Sequence, residues 1–382
     1  FYIRKKTMLE NLFKLKENHT SVKTEVIAGI TTFMTMAYIL AVNPSVLSAA
    51  GMDPTAVLLA TCIASFIGTL CMGLTANLPF VLSAGMGLNA YLAYTVVGVM
   101  GYHWQVALLA VFFIVLSLTN VREAIFDAIP LNLKKGVSVG IGIFIAFIGL
   151  QNAKLVIGNK STLVSITNFT KDFHTAGICS LLAVIGLLIT VILYIKKVPG
   201  SILIGILATW VIGMLCQITG IYVPDFKTGY YSLFPTFAMT DFSKLGETFG
   251  KCFQYDLGKV GIFNFIAVVL SFLFVDLFDT LGTLVGVSTK AGMLNEEGKL
   301  PGIKPALMAD AVATTAGAVL GTSTVTTFVE SSSGVAAGGR TGLTAVVSGF
   351  LFLISTLFAP LFTAIPSFAT APALIMVGFL MF

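Results

Sequence analysis

Two neighbouring stretches of the chain decide the fold. Residues 262–283 are Ile-Phe-Asn-Phe-Ile-Ala-Val-Val-Leu-Ser-Phe-Leu-Phe-Val-Asp-Leu-Phe-Asp-Thr-Leu-Gly-Thr, an apolar run that carries Asp276 and Asp279. Residues 321–339 are Gly-Thr-Ser-Thr-Val-Thr-Thr-Phe-Val-Glu-Ser-Ser-Ser-Gly-Val-Ala-Ala-Gly-Gly, and they carry Glu330. A carboxylate at bilayer depth costs about 2.5–3.5 kcal/mol on insertion scales, so it persists only where it faces a protein interior or a watery cavity. The three acids are therefore the first candidates for function.

The composition is that of a membrane protein. The chain is 57% hydrophobic and 10% charged, with a mean hydropathy of +0.97, whereas an ordinary soluble domain has roughly 25% charged residues. Its apolar runs approach the length of about 20 residues that a helix needs to cross a bilayer. They lack the period-two alternation of a membrane barrel. We therefore predict an all-α polytopic membrane protein.

The apolar runs divide the chain into twelve predicted spans, two of them broken. If the N-terminus lies in the cytoplasm, the cytoplasmic segments contain fifteen of the 22 Lys and Arg residues, and six of these lie in the basic segment 1–24. This bias agrees with the positive-inside rule. The spans are 25–47, 54–75, 78–98 (broken), 102–120, 136–155, 175–195, 199–223, 260–288, 305–321, 322–341 (broken), 342–364 and the start of another at 370–382.

The two broken spans predict an inverted repeat. Residues 79–91 (Pro-Phe-Val-Leu-Ser-Ala-Gly-Met-Gly-Leu-Asn-Ala-Tyr) and 321–339 each join an extended-looking piece to a Gly/Ser-rich piece. They are the third and tenth spans, which are equivalent in two repeats of seven, and an odd number of spans inverts the second copy. Interrupted segments at matching positions point to a transport site. The alternative is two Gly-rich helices that pack closely through small residues.

The candidate site residues lie on these spans. Asp276 and Asp279 share one helix face because they are three residues apart, and we expect a substrate- and proton-binding pair; alternatively one of them is structural. Glu330 precedes Ser331 at the start of a half-helix, where it binds substrate or acts only as a cap. The remaining candidates are Asn89, Thr31 and Thr32. Each of them either contacts substrate or joins core helices through hydrogen bonds.

The predicted pocket is acidic and lined by amides, since no Lys or Arg falls in the middle of a span. Such a pocket favours a ligand rich in N–H donors over phosphate or sulfate, and a buried carboxylate can couple ligand binding to proton uptake. Five scattered cysteines without C-x-x-C spacing, and three histidines near span ends or in the N-terminal segment, predict no metal and no cofactor. The two G-x-G runs lack the context of a nucleotide or nucleic-acid site.

Four motifs resemble those of the AzgA-like purine permeases, in the nucleobase–cation symporter and nucleobase–ascorbate transporter superfamily. The resemblance covers essentially the whole chain. The motifs are Thr31-Thr-Phe-Met-Thr-Met-Ala-Tyr-Ile-Leu, Ser83-Ala-Gly-Met-Gly-Leu-Asn-Ala-Tyr, Phe274-Val-Asp-Leu-Phe-Asp-Thr-Leu-Gly-Thr and Thr326-Thr-Phe-Val-Glu-Ser-Ser-Ser-Gly-Val.

The resemblance implies the uracil-permease fold, fourteen helices in a 7+7 inverted repeat whose broken third and tenth helices carry short extended segments. It implies a cytoplasmic segment (1–24), core helices 1–4 (25–120), gate helices 5–7 (121–223), an external loop (224–259), core helices 8–11 (260–364) and the truncated start of the second gate half (365–382). The sequence ends at Phe382, inside that half.

The same resemblance assigns function. It implies proton-coupled symport of adenine, guanine or hypoxanthine into the cell by alternating access, without enzymatic activity, across the plasma (inner) membrane. Asp276, Asp279 and Glu330 would bind purine and couple protons, with Asn89 in support and Phe328 and Ser331 beside Glu330. Expected partners are the purine, protons, the lipid bilayer and a second copy in a homodimer. The alternatives are an anion transporter or exchanger of the same fold, a membrane-embedded hydrolase and a channel. The preferred purine and the choice between H⁺ and Na⁺ stay open.

Overall fold

The computed structural model describes residues 9–113, 131–170, 173–225, 230–235, 238–255, 260–293 and 300–380. Most of these residues are helical, as the composition predicts. Short 3₁₀ segments cover Phe242–Glu247, Lys251–Gln254 and Thr356–Phe358, and π-helical turns cover Met72–Ala76, Tyr91–Val99 and Phe173–Gly177. The helices are α1 (Val22–Met36), α2 (Ile39–Ser48), α3 (Pro54–Cys71), α4 (Met86–Ala90), α5 (Trp104–Phe113), α6 (Leu131–Asn152), α7 (Ile178–Ile195), α8 (Ser201–Ile218), α9 (Ile262–Ala291), α10 (Ile303–Leu320), α11 (Ser331–Ala336), α12 (Gly342–Ser355), α13 (Ala359–Thr363) and α14 (Ser367–Leu380). The strands are β1 (Leu82–Ala84), β2 (Val156–Asn159), β3 (Leu163–Ile166) and β4 (Val325–Thr327).

Seven helical segments within the described ranges are long and apolar enough to cross a membrane. They correspond to seven of the predicted spans. Three shorter apolar helices overlap the third, fifth and twelfth spans, and the fourth span is described only as far as α5. The seven segments are Val22–Ser48, Pro54–Ala76, Phe173–Ile195, Ser201–Ile218, Ile262–Ser288, Ile303–Leu320 and Gly342–Thr363.

The first span is broken between α1 and α2. Pro44 lies inside α2, where it has no N–H to offer the carbonyl four residues earlier. Just before the break, the Thr35 hydroxyl donates to the carbonyls of Thr31 and Thr32, which competes with the regular helical ladder. The α2 helix then opens with short-range bonds from the Leu40 and Ala41 amides. Consequently Tyr38 lies at the junction of the two helices.

The two broken spans meet each other through their strands. β1 pairs antiparallel with β4, and Ser83 stands opposite Thr326 at the centre of the pair. Two further backbone bonds extend the ladder, from the Gly85 amide to the Thr324 carbonyl and from the Phe328 amide to the Val81 carbonyl. Each strand is three residues long and completely buried. Extended backbone at membrane depth needs such internal partners, because lipid supplies none.

The backbone amide and carbonyl groups on the outer edges of the two strands find hydrogen-bond partners in equivalent ways. Thr69 of α3 donates its hydroxyl to the Leu82 carbonyl and accepts from the Leu82 amide, at 3.1 and 3.0 Å. Thr314 of α10 does the same for Val325, at 3.2 and 3.4 Å. α3 and α10 are the second and ninth spans, seven apart. The strand pair therefore has a local two-fold arrangement of the kind that an inverted repeat produces.

Helix neighbours fall into two sets. α1 packs against α11 and α12, and α3 packs against α10 and α12. In the other set, α14 packs against α6, α7 and α8. Close approach in the first set needs small residues: a Cβ on Gly342 would meet the backbone of Gly73, and one on Gly68 would meet Ala313. The predicted division into core and gate domains stays a prediction.

Candidate functional site

A cavity of about 290 Å³ lies where the two broken spans and the break in the first span meet. Its wall draws on the α1–α2 junction, on α4, α6, α9 and α14, and on the segment that joins β4 to α11. Ligand pockets typically measure about 300–1,000 Å³, so this cavity suits a small ligand. The lining residues are Tyr38, Met86, Gly87, Ile145, Val275, Phe278, Asp279, Gly282, Thr283, Thr327, Phe328, Val329, Glu330, Val377 and Leu380.

Two of the three predicted acids lie on the cavity wall. Asp279 comes from α9, and Glu330 comes from the residue immediately before α11. Asp276, one turn earlier on α9, is completely buried and is not part of the wall. The Glu330 side chain makes no capping bond to α11, so its carboxylate is available to the cavity.

A hydroxyl from another element donates to each of the two wall acids. The Tyr38 hydroxyl donates to Oε1 of Glu330 at 2.7 Å. The Thr326 hydroxyl donates to Oδ2 of Asp279 at 3.2 Å. Gly85 allows the start of α4 to approach closely, since a Cβ there would lie 3.2 Å from the Thr326 hydroxyl and 3.5 Å from Oδ2 of Asp279. The acids are thus held by residues of the first and tenth spans, and the third span packs closely beside Asp279.

The rest of the wall is mainly aromatic and aliphatic. Phe278 immediately precedes Asp279 on α9, and Phe328 precedes Glu330 by two residues. Phe328 is largely buried, as is Tyr38. No Lys, Arg or His is among the described residues that line the cavity. A flat, uncharged or cationic ligand with N–H donors matches such a wall, since aromatic rings favour stacking and the two carboxylates accept hydrogen bonds.

Asn89 lies away from the cavity wall, in a buried polar network. Its amide nitrogen donates to the Asn43 carbonyl oxygen at 2.5 Å. The Asn43 amide in turn donates to the hydroxyls of Thr61 and Thr322, at 2.7 and 3.1 Å. All four side chains are fully buried. The network joins the first, second, third and tenth spans behind the site, and direct contact between Asn89 and a substrate stays a prediction.

Three other predicted residues also lie off the wall. Ser331 accepts a hydrogen bond from the Val81 amide at 3.0 Å, which ties the start of α11 to the segment before β1. The hydroxyls of Thr31 and Thr32 donate to carbonyls of their own helix, at Ile27 and Ala28. Thr32 also contacts α11, because a Cβ on Gly334 would collide with its hydroxyl. These contacts hold the broken span in place.

Sequence reasoning does not single out several residues that the structure connects to the site or its support. Tyr38 is one, although it belongs to the motif that begins at Thr31. Asp310 lies in the middle of α10 and is fully buried, as Asp276 is, and the Thr280 hydroxyl donates to its Oδ1 at 2.9 Å. Its position within a span was visible in the sequence and could have identified it. Glu25 is also buried, and its carboxylate accepts from the amides of Arg340, Thr341 and Thr344 and from the Thr344 hydroxyl.

The described residues contain no group of three or more His, Cys, Asp or Glu side chains that could hold a metal ion. The five cysteines are unpaired, and three of them are buried. The chemistry available at the site is therefore that of carboxylates, hydroxyls and aromatic rings.

The fold is shared with anion transporters of known structure. The transmembrane domain of a cyanobacterial bicarbonate transporter, BicA, superposes with a TM-score of 0.67 at 15% identity, over 94% of this chain and 88% of that one. SLC26A9 superposes with a TM-score of 0.55 at 13% identity, over 93% of this chain and 57% of that one. These proteins share the 7+7 inverted repeat of the uracil permease, which confirms the predicted fold.

Relatives in sequence cover nearly the whole chain. A protein named as a permease in Methanocaldococcus jannaschii is 49% identical over 98% of this chain and 82% of its own length. The guanine/hypoxanthine permease PbuO of Bacillus subtilis is 46% identical over 97% and 83%, and the adenine permease AdeQ of Escherichia coli is 42% identical over 98% and 80%. The model of the Permease family (Xan_ur_permease) matches residues 23–382. The family that the motifs predict is thereby confirmed, and the chain is a multi-pass membrane protein that belongs to this permease family.

Proposed function

We propose that the protein is a secondary transporter that imports purine nucleobases together with protons by alternating access. The observation that carries this proposal is the small cavity in which Asp279 and Glu330 share a wall with Phe278, Phe328 and Tyr38. A purine base is a flat aromatic ring with N–H donors at its edge. The aromatic side chains offer it stacking partners, and the two carboxylates accept from its N–H groups.

The relatives support the choice of substrate. Proteins that are 42–46% identical to this chain are named adenine permease or guanine/hypoxanthine permease. Another guanine/hypoxanthine permease, PbuG of Bacillus subtilis, is 44% identical over 98% of this chain. The names divide between adenine and the 6-oxopurines, so we propose the purine class rather than one base.

Coupling to protons follows from the chemistry of the buried acids. Asp279 and Glu330 line the cavity, and Asp276 lies one turn from Asp279 on the same helix. Ionising every one of these neighbouring carboxylates at bilayer depth is expensive. Taking up a proton with the substrate reduces that cost in the loaded state. We place the transporter in the plasma (inner) membrane with a cytoplasmic N-terminus, core and gate domains as the motifs imply, and a homodimer as its assembly.

Anion exchange is the second candidate, because BicA, a bicarbonate transporter, has the same fold. The cavity wall argues against it. Two carboxylates without a Lys, Arg or His among the described lining residues repel an anion. An intramembrane aspartyl hydrolase would need two aspartates from separate helices at one site, whereas Asp276 and Asp279 share α9 and Asp310 of α10 does not line the cavity.

Uptake in cells that lack their own purine permeases tests the proposal. Radiolabelled adenine, guanine and hypoxanthine are offered with and without a protonophore, and sulfate and bicarbonate serve as competitors. We expect accumulation of at least one purine, its collapse with the protonophore and no competition by the anions. Accumulation that is indifferent to the protonophore would refute proton coupling. Anion transport in place of purine uptake would refute the purine assignment.

A further inference from the structure

We propose that Tyr38 and Thr326 are positioning residues, which hold the two wall acids so that the cavity selects a ligand with N–H donors at two separate positions. The inference rests on the proposed function, because it describes how the same cavity distinguishes one purine derivative from another. Neither residue is an acid or a proton carrier in this scheme. Each acts through the carboxylate to which it donates.

The Tyr38 contact fixes Glu330. Tyr38 is 1% exposed, and its hydroxyl donates to Oε1 of Glu330 at 2.7 Å. The carboxylate torsion of a Glu side chain is otherwise broad and roughly two-fold. One short bond from a rigid phenol removes much of that freedom. The phenol is itself anchored at the junction of α1 and α2, a different element from the one that carries Glu330.

The Thr326 contact fixes Asp279 in the same manner. Thr326 is fully buried in β4, directly opposite Ser83 of β1. Its hydroxyl donates to Oδ2 of Asp279 at 3.2 Å. Ser83 is bonded in turn to Ser65 of α3 at 2.8 Å. The donor to Asp279 is therefore part of the strand pair and is as rigid as that pair.

The consequence concerns the second oxygen of each carboxylate. Among the described residues, Thr326 is the one side chain that donates to Asp279, and Tyr38 is the one that donates to Glu330, whose own backbone amide also bonds to its carboxylate. A carboxylate is planar, so holding one oxygen sets the direction of the other. The wall then presents two acceptors, one from α9 and one from the segment before α11. A purine base has N–H donors on its imidazole ring and on its pyrimidine ring or exocyclic amine, which is the complementary pattern.

Competition with methylated purines tests the inference. The labelled base is whichever of adenine, guanine and hypoxanthine the wild-type protein takes up fastest. The competitors are the same base and its derivatives that carry a methyl group on one nitrogen at a time. The readout is the ratio of inhibition constants, methylated over parent, for the wild type, Tyr38→Phe and Thr326→Val. This ratio does not depend on how much protein reaches the membrane.

We expect the wild type to reject the derivatives whose methyl group replaces a donor facing an acid. Hydrogen bonds to charged groups contribute about 1.5–3 kcal/mol, which is roughly 10- to 150-fold. Tyr38→Phe should lower the ratio of inhibition constants tenfold or more for the derivative methylated at one nitrogen. Thr326→Val should lower it for a derivative methylated at a different nitrogen. Thr326→Ser keeps the hydroxyl and should keep the wild-type ratios.

Two variants serve as matched controls. Tyr94→Phe removes a phenol that reaches Asn152 at 3.4 Å, and Thr315→Val removes a hydroxyl bonded to the Ala311 carbonyl of its own helix. Neither residue lines the cavity, so both variants should keep the wild-type ratios. A variant without uptake is assayed by competition for binding of the labelled base to purified protein.

The inference is overturned if Tyr38→Phe and Thr326→Val keep the wild-type ratio of inhibition constants at every nitrogen. It is also overturned if they lose affinity for the parent base and all derivatives by the same factor, or lose binding completely. Failure of the proposed function is a different result. In that case the wild-type protein itself takes up and binds none of the three bases.

Discussion

Replacing Thr314 with Val should destabilise the paired strands at the centre of the protein. The substitution keeps the size of the side chain but removes its hydroxyl, which donates to the Val325 carbonyl at 3.2 Å and accepts from the Val325 amide at 3.4 Å. Both backbone groups are buried at the outer edge of β4, out of reach of water. The perturbation therefore leaves one backbone donor and one acceptor without a partner.

The magnitude follows from those two bonds. An unsatisfied buried polar group costs about 1–3 kcal/mol, so two of them cost about 2–6 kcal/mol. The bond to the amide is long and weaker than average, so we expect a loss of roughly 2–4 kcal/mol in the free energy of unfolding. Thr69→Val, at the equivalent position on β1, should cost a similar amount because Thr69 makes the same pair of bonds with Leu82.

A denaturant titration of the purified protein in detergent measures the change in the free energy of unfolding. Thr315→Val is the matched control, since its hydroxyl bonds only to a carbonyl within α10 and we expect a change below about 1 kcal/mol. The account of the strand pair is refuted if Thr314→Val is no more destabilising than Thr315→Val, or if Thr69→Val is neutral while Thr314→Val is severe.

Three further predictions concern the site and its support. Glu330→Gln should reduce purine uptake tenfold or more while membrane insertion stays normal, because a carboxylate acceptor on the cavity wall is lost; uptake at the wild-type rate would contradict the assignment. Glu25→Gln should lower stability by about 2–4 kcal/mol, because the new NH₂ group must face one of the donors that Glu25 now accepts from; an unchanged unfolding midpoint would count against this. Gly342→Ala should prevent stable folding, because the new Cβ would overlap the Gly73 backbone. Gly349→Ala is the control and should be tolerated, because the atom nearest to its new Cβ would be 3.5 Å away. Equal yields of the two variants in membranes would show that the contact at Gly342 is not tight.

The fold could be predicted from the sequence to a large extent. Long apolar runs set the helices, and two Gly/Ser/Thr-rich interruptions seven spans apart set the repeat. The pairing between β1 and β4 could not be predicted residue by residue. Each strand is only three residues long, and the register depends on partners on α3 and α10 that are distant in sequence.

The site was partly visible for the same reason. Acids inside apolar runs are rare enough to stand out, and Asp279 and Glu330 lie on the cavity wall. Tyr38 does not stand out, because a tyrosine in an apolar run is ordinary and only the tertiary contact with Glu330 identifies it. Asn89 illustrates the opposite case. Its polarity inside a span marks it, but the sequence does not tell whether its partner is a ligand or Asn43.

The most direct test of the central claim is a structure of the protein with a purine base bound, determined by cryo-electron microscopy in lipid nanodiscs. We predict density for the base in the cavity between Phe278 and Phe328, with ring N–H groups within hydrogen-bond distance of Asp279 and Glu330. A base bound elsewhere, or bound in this cavity without contact to either acid, would contradict the account.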